Sequence, residues 1–182
     1  MKMKAAIGII TMLASGLALP GVAAGQVPPG VGEGWNGEFD HAARQITQLA
    51  EAIPADKYSW RPGAGVRSVA EVLMHIAVAN HFLLGPTGAK PAVDLAKLGK
   101  DPEKGLTTKN EIIPFLKASF DAVRAAAPTL DKSQRVKLFG KEVTNEGVLT
   151  RLLVHNHEHM GQLIAYARVN GVVPPWSAKG GQ

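Results

Sequence analysis

Residues 144–169 read TNEGVLTRLLVHNHEHMGQLIAYARV, and the spacing of side chains in this stretch decides the fold class. Steps of three or four from Val148 pass through Leu152, His155, His159, Gln162 or Leu163, and Tyr166. That is one stripe of an amphipathic helix, ending near Gly171. Two imidazoles stand where the pattern asks for apolar groups. Residues four apart lie one above the other on a helix face, so both rings reach a single ion at the roughly 2.0–2.1 Å that Zn–N bonds require.

Working outward, the run VKLFGKEV (136–143) alternates around Gly140 and suits a small hairpin or an extended turn. Upstream, Ile112, Phe115, Leu116, Phe120, Val123 and Ala127 mark a third helix that Pro128 closes, with Pro114 in its first turn or bending it. The stretch 90–107 is polar and irregular apart from Val93 to Leu98, and reads as a long connection across one end of the bundle. Ser68-Val69-Ala70-Glu71 is a capping box, and the helix it opens runs through Val72, Leu73, Ile76, Ala77, Ala79, Phe82 and Leu83 until Gly85 and Pro86. So little charge follows Glu71 that this helix is buried on most sides. Phe39, Ala42, Ala43, Ile46, Leu49, Ala50 and Ile53 form the face of a first helix, beginning near Glu38 and ended by Pro54. The expected fold is all-α: a four-helix bundle with a small hairpin before the last helix.

His75 lies one turn beyond the capping box, beside Val72, Ala79 and Phe82, and points inward. Second and fourth helices can face each other across an up-and-down bundle, so His75, His155 and His159 converge on one divalent ion. Zinc, nickel or iron all suit imidazoles. Three protein ligands make an open site, whose remaining position takes water or substrate. The competing readings are a satisfied core histidine for His75 and a polar network for the pair. Glu71, four residues before His75, could orient it, although the capping box already accounts for that carboxylate. Gln162 either serves the metal site or bonds a neighbouring helix. His41, His81 and His157 read as surface or edge residues, Gly161 as a point of close helix approach, and Trp60, Phe82, Phe120 and Tyr166 as core. No general base stands out, Glu71 and Glu158 being candidates by proximity in sequence alone.

With 182 residues, 46% of them hydrophobic, the chain suits one compact domain. MKMK followed by an uncharged stretch to Pro20, then Val22-Ala23-Ala24, reads as a secretory signal peptide over 1–24. A flexible lead-in (25–37), the bundle (38–171) and an extended tail (172–182) follow. Loss of Lys2 and Lys4 lowers the formal charge from +5 to +3, with the remaining cations scattered, so no nucleic-acid surface is expected. The expectation is an exported protein, periplasmic or secreted, with no stable membrane insertion after cleavage. The absence of cysteine excludes disulfides, thiolate ligands and a cysteine nucleophile.

The run His155-Asn156-His157-Glu158-His159-Met160-Gly161-Gln162, an H-x-x-x-H-x-G-Q pattern, resembles the signature of the DinB-like superfamily. Trp60-Arg61-Pro62 and VRSVAEVLMH (66–75) are similar to the segment presenting that family's first ligand, and the likeness runs from about Glu38 to Asn170. The resemblance implies a four-helix up-down-down-up bundle, often a homodimer, with a divalent metal on His75, His155 and His159. It implies activity as a metal-dependent hydrolase, or as a thiol transferase using bacillithiol, mycothiol or glutathione. Such thiols are scarce outside the membrane, so export argues against thiol transfer. Two functions therefore stand: an exported metal-dependent hydrolase or transferase of a small molecule, and a non-catalytic metal- or ligand-binding protein of the cell envelope.

Overall fold

The computed structural model describes residues 27–90 and 93–178; the expected signal peptide lies outside them. Four helices, α1 (Gly34–Ala52), α2 (Val69–Leu84), α3 (Lys109–Ala126) and α4 (Asn145–Val169), pack around one core, and a two-stranded antiparallel hairpin, β1 (Arg135–Leu138) and β2 (Lys141–Thr144), precedes α4.

Contacts between helix ends fix the topology. The Tyr58 hydroxyl donates to Ala50 O at 2.7 Å, joining the end of α1 to the approach to α2. Lys109 Nζ at the start of α3 donates to Glu51 O and Ile53 O at 2.6 and 2.8 Å, so α3 begins at the same end as α2 and runs parallel to it. Near the opposite end Arg124 meets Asp40 at 2.6 Å, and the Trp35 indole donates to Leu149 O at 2.9 Å, placing the start of α4 beside the start of α1. The order is up-down-down-up.

α1 begins at Gly34, earlier than the expected Glu38. The reason is Trp35, whose ring stacks on Phe39 at 5.1 Å and whose N–H is satisfied by α4. Its apolar face is the expected one, and Ile53 turns extended before Pro54. The Ser68–Glu71 capping box is formed in both directions, at 3.2 and 2.8 Å. Pro114 lies inside α3, beyond its first turn. Val69–Thr87 has the length and hydropathy of a membrane span, yet it is a core helix here, packed between α3 and α4. The tail is not simply extended: a turn forms at Pro174–Ala178, and Trp176 packs on the core.

The connection from α2 to α3 departs most from expectation. It does not merely cross one end of the bundle but carries short 3₁₀ turns at Leu95–Leu98 and Pro102–Lys104, the second packed along α2. A chain leaving the bottom of α2 must return to the top to start a parallel helix, and this return brings Glu103 to the middle of α2.

Candidate metal centre

Facing positions of α2 and α4 hold the three histidines. The ring centroids of His75, His155 and His159 lie 4.5–4.8 Å apart, and one ligand nitrogen from each lies within 4.8 Å of the others. His75 Nε2 and His155 Nε2 are 3.0 Å apart. Two nitrogens bonded to one ion at 2.0–2.1 Å are separated by about 2.9 Å at a right angle and about 3.3 Å at the tetrahedral angle. The observed spacing falls between the two.

The outer nitrogens settle which way the rings face. His75 Nδ1–H donates to Glu103 Oε1 at 2.7 Å, and His159 Nδ1–H donates to Gln162 Oε1 at 2.8 Å. Each bond places the proton on Nδ1 and leaves the Nε2 lone pair pointing inward. His155 differs, since its buried Nδ1 has no partner among the described residues.

These contacts form one network around the site. Gln162 Nε2 donates to the Tyr166 hydroxyl, which donates to Arg67 O, at 2.9 and 3.1 Å. The Arg67 side chain closes the ring by gripping Glu103 at 2.6 and 3.1 Å. His75 and His159 are thus held by opposite ends of the same chain of bonds, with Trp60 edge-on to Tyr166 beneath it.

Burial, followed by the neighbouring His159 and His75 rings and by Arg151, pulls the His155 pKa from 6.5 down to about 4. Burial also lowers His159, against the bond to Gln162 that works the other way. Both are therefore neutral near pH 7, the form that ligates metal. Burial tends to raise the Glu103 carboxyl, but hydrogen bonds from Arg67 and His75 outweigh it and hold the group below the usual carboxylate range.

A DinB superfamily sequence profile matches residues 38–163. The chain belongs to the DinB superfamily. The uncharacterised Bacillus subtilis DinB-like protein YjoA is 24% identical over 135 residues, which are 70% of this chain and 84% of that protein. The YjoA crystal structure aligns with a TM-score of 0.57 at 20% identity, over 76% of this chain and 92% of that one. A DinB-like protein from Bacillus cereus aligns with a TM-score of 0.66 at 19% identity, over 79% and 95%. These likenesses agree with the observed DinB fold.

Within this DinB chain, Gln162 contacts His159 directly, whereas Glu71 does not reach His75. The Glu71 carboxylate is taken by Ser68 N and Arg61, and the position opposite His75 Nδ1 belongs to Glu103. No helical period leads to Glu103, because it sits in an irregular segment 28 residues from its partner. His41 and His81 are buried, contrary to the surface reading: His81 because α2 is covered on most sides, His41 beside Arg44, which is bonded to Pro29 of the preceding segment. His157 faces away from the triad and donates to Leu153 O. A side chain at Gly161 would meet nothing within 4 Å, so close helix approach is not its role. Phe120 and Tyr166 are buried and Trp60 is half-buried, but Phe82 is 52% exposed. Beside the histidines, fully buried Asn80, Ser119 and Asn156 link α2, α3 and α4 by hydrogen bonds of 3.0 Å.

Proposed function

We propose that the protein holds one divalent transition-metal ion on Nε2 of His75, His155 and His159, and acts with it as a hydrolase or transferase of a small molecule in the cell envelope. The observation that carries this reading is the convergence of three ring nitrogens, with the His75 ring fixed from behind by Glu103 and the His159 ring by Gln162. Without a cation, one proton between His75 and His155 could bridge one pair of rings; the third imidazole would still be buried against the other two. A shared cation engages the inward nitrogen of all three rings.

An all-imidazole set suits zinc, nickel or iron. Bound there, such an ion supplies Lewis-acid polarisation at the coordination positions the protein leaves open. The chain's own residues orient the ligands: Glu103 and Arg67 hold His75, and Gln162 and Tyr166 hold His159. A second reading, a binding protein without turnover, is favoured by the state of the nearby carboxylates. Both oxygens of Glu103 are engaged, and Glu158 is tied to Arg151 at 2.6 Å, so neither is poised to accept a proton.

Retention of zinc, nickel and iron after dialysis tests the metal reading. The mature chain should keep close to one ion per chain, and His75→Ala, His155→Ala and His159→Ala should each lose most of it. Retention unchanged in all three variants would sink the proposal. A screen of ester, amide and phosphoester substrates, with His75→Ala as control, separates enzyme from binder. Export rests on the Lys2 and Lys4 leader and its Ala-rich cleavage site, and mass spectrometry of the mature N-terminus in a bacterial host tests it.

A further inference from the structure

A cleft of about 530 Å³ opens beside the histidines, within the usual size for small-molecule sites. His75 and His155 line its inner end, Val78 and Phe82 of α2 one wall, Phe139 of the hairpin the other, and Arg151 its edge. The two phenyl rings stack at 5.9 Å, inclined by 29°, although Phe82 is 52% and Phe139 72% exposed.

Phe139 is held there at a cost. It is the only non-glycine residue with positive φ among those described (49°), and with Gly140 (77°) it makes a two-residue hairpin loop of the type that favours Asn-Gly. A bulky residue in that conformation is strained. Its ring gains little burial in return, so hairpin stability does not account for its presence. Strain of this kind collects at ligand-binding positions.

The charges in the cleft are unequal. Glu103, the one carboxylate lining it, has both oxygens engaged by His75 and Arg67. Arg151 spends one nitrogen on Glu158, and its remaining N–H groups have no partner among the described residues. An arginine with free donors beside a cation-binding triad selects a negative head group.

We infer that this cleft takes a small organic anion, its acidic head between the metal position and Arg151 and its apolar, preferably aromatic, body against Phe82, Phe139 and Val78. The inference rests on the metal reading above and names the class of substrate or ligand that site would receive. Such a molecule matches each part of the cleft, covering the stacked rings while its head meets the positive end.

Benzohydroxamate and acetohydroxamate share a metal-binding anionic head and differ in the aromatic body. Titrated into the zinc-loaded chain, benzohydroxamate should bind about tenfold more tightly or better. Phe82→Ala and Phe139→Asn should reduce that ratio below about threefold, and Arg151→Met should weaken both probes while preserving it. Asn suits the loop conformation, so Phe139→Asn keeps the hairpin folded. Zinc content is measured on every sample. Equal affinity for the two probes with zinc retained would overturn the inference and leave the metal reading standing. Loss of zinc from the wild-type chain would overturn both. Sedimentation supplies the remaining check: a wild-type dimer that dissociates on Phe139→Asn would show that a second copy covers the rings, and would overturn the small-ligand assignment.

Discussion

Removing the Glu103 carboxylate should weaken metal binding without touching a ligand. His75 donates to Glu103 at 2.7 Å, and the carboxylate side chain is 24% exposed, so the bond is partly shielded from water. A hydrogen bond to a charged group is worth about 1.5–3 kcal/mol, but Arg67 shares the same oxygens through two bonds and reduces what His75 receives. The lower part of the range applies, about 1.5–2 kcal/mol, or about 10–30-fold in affinity. Glu103→Ala should therefore weaken zinc binding about 10–30-fold, and Glu103→Gln, which keeps an acceptor, about threefold to tenfold. Competition against a chromophoric chelator at pH 7.5 reads these values directly. Asp101→Asn is the control, because Asp101 pairs with Lys104 in the same segment without a bond to His75. Affinity of Glu103→Ala within twofold of wild type, or an equal loss in Asp101→Asn, would show that the Glu103–His75 bond does not support the metal.

Burial lowers the His81 pKa from 6.5, so the unfolded chain takes up this proton first as pH falls. Stability from this group is present above about pH 6.5 and declines below it; in zinc-loaded protein, urea melts from pH 7 to 5 should show a smaller decline in His81→Leu than in wild type. Asn80→Leu breaks the link between Ser119 and Asn156 and should cost about 1–3 kcal/mol in urea denaturation; an unchanged midpoint would mean these bonds add nothing net. Phe139→Asn relieves a strained positive φ and should raise stability by about 1 kcal/mol while impairing ligand binding, with a lowered melting temperature as the contrary result.

The last helix was legible because stripe and ligand spacing share one period: the step of three or four that brings Leu152 to the core brings His155 and His159 there too. His75 followed from the capping box, which set the phase of α2. Periodicity carries no information about how an irregular segment returns, so Glu103 was out of reach although it completes the hold on His75. The same limit applies to His81. A helical wheel places it away from His75, but α2 is buried on several faces at once, and the far face is also interior. Phe82 shows the converse, an apolar side chain on a core helix left half open because the hairpin stops short of covering it. Asn80 hides within an apolar run and Asn156 among the histidines, where sequence gives no sign that they meet.

At the heart of the proposed function, three imidazoles on two facing helices bind one ion. X-ray absorption at the zinc edge of the loaded chain tests it most directly. Three imidazole nitrogens are expected at about 2.0–2.1 Å, with one imidazole lost from the shell in His159→Ala or the ion lost altogether. A shell of oxygen donors without imidazole scattering, or the same spectrum from His159→Ala, would contradict it.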